Sequence, residues 1–158
     1  MPTKAATHTA SDIAKWLLRR NKAEMDFRDA EYMSHLKLQK LLYYAQGAYL
    51  AFYNQKLFQE DLLKWEHGPV VEAVYQEYKN WGSDGITEFS MPVESYLSAE
   101  EETLEIVYDN FGQYSAWKLR NMTHAERPWQ YAKKDGVISI KVIRDFFLEE
   151  YVKDEPEH

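Results

Sequence analysis

The sequence predicts a mainly α fold: a compact single domain of about six or seven helices around one buried central helix at 36–53. One short two-stranded β element fits beside them. Three observations predict this. Gly and Pro number only six and five in 158 residues, too few for a turn-rich sandwich or barrel. Apolar residues recur at i, i+3 and i+4 in several separate segments. Aromatic residues make up 15% of the chain, enough large side chains to fill one core. The predicted domain runs from 9 to 151, between a flexible N-terminal segment at 1–8 and an acidic tail at 152–158.

The first helix should begin at Thr9, with Asp12 completing a carboxylate variant of the capping box. Its stripe is Ile13, Trp16 and Leu17, and it should end at Arg19-Arg20-Asn21. The mixed polar residues 22–33 read as a loop. Ser34 is the next N-cap, before the most hydrophobic stretch of the chain. There Leu38, Leu41, Leu42, Ala45, Tyr49 and Phe52 form one stripe, and Leu36, Tyr43 and Leu50 broaden it. A helix apolar on most sides is buried by its neighbours. Gly47 inside it costs about 1 kcal/mol relative to Ala, which predicts close approach by another backbone.

Leu63 and Trp65 alternate with Lys64 and Glu66, as in a short half-buried strand. Gly68-Pro69 then reads as a helix start, with Pro at the first position. Val71, Val74, Tyr75, Tyr78 and Trp81 form the inner face of a helix predicted at 69–81. Residues 82–97 read as a loop, with Ile86–Met91 as a candidate strand. Ser98-x-x-Glu101 is a capping box ahead of Leu104, Val107, Tyr108 and Phe111, and Gly112 is the stop. A short helix over 115–122 and a turn opened by Pro128 follow. Ser139 caps the last helix, which carries Ile140, Ile143, Phe146, Phe147 and Tyr151.

Charge narrows the function. The net charge is −7, opposite to the basic balance that phosphate neutralisation demands, so no direct contact with nucleic acid is expected. No cysteine occurs, which removes disulfides, thiolate metal sites and a Cys nucleophile. No apolar signal segment and no 18-residue apolar run is present, so a soluble cytoplasmic protein without a membrane partner is expected. The five histidines include no HExxH pair and no two on one helical turn, so neither metal nor cofactor is expected. Glu66, His67 and His124 could form an acid/base set for a small hydrolase. His67 and His124 at helix starts, and Thr123 with Glu126 as a capping box, explain the same residues structurally. Residues 1–22 sum to +4 and residues 149–157 to −4. The acidic tail is either a solvated end or a surface that steers a basic partner.

Three blocks then line up in order. The first comprises Leu36, Lys37, Leu38, Gln39, Lys40, Leu41, Leu42, Tyr43, Tyr44, Ala45, Gln46 and Gly47. The second is Trp65-Glu66-His67-Gly68-Pro69-Val70, followed by Val74 and Tyr75. The third holds Ser115, Leu119, Thr123, His124, Pro128 and Trp129. Together they resemble the Panacea domain, known from SocA-like antitoxins and phage-associated GepA-like proteins. The resemblance implies a helical antitoxin without catalytic residues, which binds and neutralises a cognate toxin protein. An adaptor that presents its partner to a protease is the rival role among binding proteins. The motif residues also read as plain structure, with Trp65, Trp117 and Trp129 as core aromatics and Thr123 as a cap.

Overall fold

The computed structural model describes residues 6, 8–28, 30–92 and 95–152. Residues 1–5 and 7, and the acidic tail from 153, lie outside the described residues. Seven α-helices and one 3-10 turn form among the described residues: α1 (Ala10–Phe27), α2 (His35–Tyr53), α3 (Glu72–Tyr78), α4 (Ser98–Phe111), α5 (Ala116–His124), α6 (Arg127–Tyr131) and α7 (Ile140–Glu150), with the turn at Lys79–Trp81. A hairpin of β1 (Leu63–Trp65) and β2 (Gly68–Val70) precedes α3.

Helix α2 is the axis of the fold, as its sequence predicts. Every residue from Leu38 to Leu50 is buried, because α1, α4, α5, α7 and the hairpin all pack on it. Leu41, Leu42 and Ala45 are inaccessible and Tyr49 is nearly so. Phe52, at the end of the predicted stripe, is instead exposed. Thr9, Ser34, Ser115 and Ser139 act as N-caps, each hydroxyl accepting from the backbone N–H three residues on.

Several expectations need correction. Helix α1 continues past Asn21 to Phe27, held by i,i+4 ion pairs between Arg20 and Glu24, Lys22 and Asp26, and Glu24 and Arg28. Gly68-Pro69 does not start a helix. It is β2, paired antiparallel with β1 in the register Leu63–Val70, Lys64–Pro69 and Trp65–Gly68, and α3 begins only at Glu72. Gly68 has φ of +116°, a backbone that only glycine adopts at little cost. That positive φ lets the chain reverse where a Pro-led helix is predicted. Residues 86–91 form no strand; the Ile86 N–H donates to the Met33 carbonyl instead.

Helix α4 is capped one residue earlier than predicted. Glu100, not Glu101, takes the orphan N–H of Leu97 at 2.7 Å; the reciprocal half of the box is absent because leucine offers no acceptor. Gly112 ends α4 in a right-handed conformation, with φ of −64°. The close neighbour at Gly47 is a side chain rather than a backbone: a Cβ there would overlap the Phe147 ring on α7. His8, in the segment expected to be flexible, is buried and donates or accepts through Nε2 at 2.9 Å from Glu100.

Candidate functional site

The polar residues of the α2 motif face inward and grip three loops between them. Gln39 copies a strand backbone toward Val71, accepting its N–H at 2.8 Å and donating to its carbonyl at 3.2 Å. Gln46 does the same for the 57–58 segment, accepting from the Leu57 N–H and donating to the Phe58 carbonyl. Lys37 donates to the Gly112 carbonyl. Lys40, fully buried, donates to the Pro69 carbonyl at 3.1 Å. An apolar helix with these four insertions sets the positions of three loops at once, since unpaired backbone groups in the interior are costly.

Lys40 is the most unusual of the four. Burial pushes its amine down to about 7, and the nearby Arg120 guanidinium adds to the effect. Gly68 makes the space for it: a Cβ at this position would stand 2.8 Å from Lys40 Cε and 2.8 Å from Thr123 Oγ1. Thr123 is itself buried and donates to the Arg120 carbonyl inside α5. It is therefore not the cap predicted: Glu126 meets Thr123 only through the backbone, its N–H donating to the Thr123 carbonyl at 3.1 Å.

Glu126 serves another purpose. Its carboxylate accepts from the hydroxyls of Tyr43 at 2.8 Å, Tyr44 at 2.9 Å and Tyr151 at 2.6 Å. Burial raises the Glu126 carboxyl above its usual range, against the three hydroxyl bonds, and burial likewise raises all three tyrosines. This hub joins α2, the α5–α6 corner and the end of α7. The sequence shows Glu126 only as a cap; the signal available was the Tyr43-Tyr44 pair on a helix with no exposed face.

On the hairpin side the motif blocks converge on a cleft of about 710 Å³. Gln39, Trp65, Val70, Tyr75 and Trp129 line it, joined by His35, Leu36, Lys64, Glu66, His67, Lys134 and Asp135. Trp129 Nε1 donates to the Trp65 carbonyl at 3.0 Å. Its ring carries the Lys64 ammonium at 4.2 Å and stacks on His124 at 4.0 Å. Trp65 meets Tyr75 edge to face at 5.0 Å. The loop after α6 is laced to β1, with Lys64 N–H on the Gly136 carbonyl and Asp135 N–H on the Lys64 carbonyl, both at 2.9 Å. Those two bonds bring Lys134 and Asp135 to the rim.

The remaining motif residues stand elsewhere. Leu38, Leu41, Val74 and Leu119 are core, Pro128 is buried in the first turn of α6, and Ser115 caps α5. Trp117 is no core residue: it is 60% exposed, with the Arg120 guanidinium 4.5 Å from its ring. The predicted acid/base set is brought close, but both imidazoles are otherwise engaged. His67 sits in the hairpin turn, not at a helix start, and its Nδ1 faces Arg120 Nε at 3.4 Å. His124 ends α5 rather than beginning a helix, and burial with Arg120 nearby lowers its imidazole, favouring the neutral ring. Glu66 lies exposed on the same turn. Among the described residues no group of three acidic or imidazole side chains could hold a metal ion, and no helix is long and apolar enough to cross a membrane.

The sequence model of the SocA-like antitoxin Panacea domain matches residues 38–130, more than half of the chain. The chain belongs to this SocA-like antitoxin family. No curated protein and no solved structure matches it. The matched span opens within α2 and closes beyond Trp129, so it contains the hairpin, the Lys40 site, Glu126 and most of the cleft. Beside the core and capping positions, the motif residues include two further physical groups. Lys37, Gln39, Lys40, Gln46, Tyr43 and Tyr44 hold the loops on α2, and Trp65, Tyr75 and Trp129 line an opening to solvent.

Proposed function

We propose that this chain is a cytoplasmic antitoxin that neutralises a cognate toxin protein by direct protein–protein contact, without catalysis. Membership of a SocA-like antitoxin family over residues 38–130 is the observation that carries the reading. A preformed surface supports it. The hairpin is fixed to α2 through Gln39 and Lys40 and to α6 through Trp129, so the cleft is ordered before any partner arrives, and less conformational entropy is lost on binding. Half-exposed Trp and Tyr side chains are the residue types that dominate interface energetics. A stable complex of this kind buries on the order of 1,600 Å² in total.

The test is co-expression with the product of the adjacent reading frame. That product should arrest growth alone, be harmless with this chain, and co-purify with it at 1:1 stoichiometry. Neutralisation without co-purification would overturn direct contact. A shortened toxin lifetime on co-expression would instead mark presentation to a protease.

A further inference from the structure

We propose that the cleft between the hairpin and α6 is the anchor pocket of the partner interface, and that it takes an arginine-bearing segment of the toxin. This rests on the reading of the chain as a toxin-binding antitoxin and adds the chemistry of the contact. The Trp65 and Tyr75 rings form an aromatic wall that is only partly covered in the free protein. At the rim, Glu66 and Asp135 are exposed, and neither carboxylate has an ion pair or hydrogen bond among the described residues. A planar guanidinium satisfies both features together, stacking on the rings while its fork meets a carboxylate.

The lysines of the cleft, Lys64 and Lys134, formally balance Glu66 and Asp135, so the rings and the unpartnered carboxylates, not a net local charge, select the guanidinium. Lys64 is already committed, lying over the Trp129 ring and donating to the Gln130 carbonyl at 3.3 Å. Among the described residues that line the cleft, Lys134 is the one lysine without such a contact, against two carboxylates without a partner. The net charge of −7 favours encounter with a basic partner as well. The volume of about 710 Å³ admits an arginine with its neighbouring side chains.

The experiment uses the full chain, ¹⁵N-labelled, titrated with two defined probes: N-acetyl-Trp-Arg-amide and N-acetyl-Trp-Glu-amide. The indole N–H resonances of Trp65 and Trp129 should shift with the arginine probe, and the glutamate probe should bind at least fivefold more weakly. Glu66→Gln with Asp135→Asn should lower the affinity for the arginine probe at least fivefold. Both are exposed side chains, so the fold, checked by the dispersion of the same spectrum, should persist. Equal or tighter binding of the glutamate probe, or shifts confined to other tryptophans, overturns the arginine pocket. Neither result touches the co-expression test, so this inference and the antitoxin reading fail separately.

Discussion

Two ionisable side chains are buried along one face of α2, Lys40 on the helix itself and Glu126 on the hydroxyls three and four residues further on, and the fold treats them differently. Glu126, on the α7 side, receives three tyrosine hydroxyls. Lys40, on the hairpin side, has one backbone carbonyl. Both resist their charge: burial raises the Glu126 carboxyl and lowers the Lys40 amine. The carboxylate is compensated by donors from two helices and ties them together. The amine is held by a two-stranded hairpin that also forms a wall of the cleft. The Glu126 hub thus ties helices together, and the hairpin keeps a costly group beside the cleft that opens to solvent.

The comparison breaks most visibly at Glu126. Glu126→Ala removes the acceptor of three hydroxyls at once, two of them on fully buried tyrosines. Each orphaned buried donor costs about 1–3 kcal/mol, so denaturant melts should show a loss of about 3–5 kcal/mol. A loss below about 1 kcal/mol would mean that the tyrosines find water and the hub holds little. Next in size is Gly47→Ala, which sets a methyl into the Phe147 ring. Overpacking of this kind costs about 1–3 kcal/mol. Glycine-to-alanine inside a helix otherwise stabilises, so a gain in stability would show that α7 moves away freely.

The outlines of this fold were legible where local chemistry decides. Thr9, Ser34 and Ser139 announced three helices because a cap is a contact between residues three apart. The end of α1 was missed although its evidence is also local: the pairs Arg20–Glu24 and Lys22–Asp26 stand four residues apart, but a polar segment without an apolar stripe reads as loop. At Gly68-Pro69 the same dipeptide serves a helix start or an edge strand, and the outcome hangs on Lys40 and Thr123 filling the place of a Cβ. The motif residues were legible as a set, yet not their division of labour. Lys40 as a buried donor and Glu126 as a triple acceptor depend on partners 29 and 83 residues away. The rim of the cleft, Lys134 and Asp135, arrives through backbone bonds to β1, and no spacing rule records these.

Acidity sharpens the comparison. The unfolded chain holds the Lys40 proton up to its ordinary value of 10.5, whereas the folded chain releases it at about 7. Between these limits the unfolded state binds more protons, so stability rises with pH; below about 7 both states are protonated and the burial penalty is present in full. Wild type should therefore gain stability relative to Lys40→Met by on the order of 1 kcal/mol per pH unit between pH 7 and 9. Glu126 works in the opposite sense. Its folded carboxyl titrates above the unfolded value, so its contribution is greatest in acid and is lost as pH rises through the folded value. Parallel pH profiles for wild type and Lys40→Met would show that Lys40 is solvated through a hairpin that opens.

The smallest effect expected is at Trp117, and it tests whether aromatic character alone marks a packing residue here. Trp117 and Trp129 both carry a cation over the ring, Arg120 at 4.5 Å and Lys64 at 4.2 Å. Trp129 is also anchored through Nε1 to the Trp65 carbonyl and stacked on His124, and its neighbours come from two other segments of the chain. Trp117 leans on a residue of its own helix and leaves 60% of its surface in water. An exposed cation–π pair contributes about 0.5–1 kcal/mol at most, and part of that returns as solvation of the freed guanidinium. Trp117→Ala should thus shift the unfolding free energy by about 0.5 kcal/mol or less. A loss above about 1.5 kcal/mol would require that Trp117 position Arg120 against His67, extending the buried side of α5 to a residue that its exposure places on the surface.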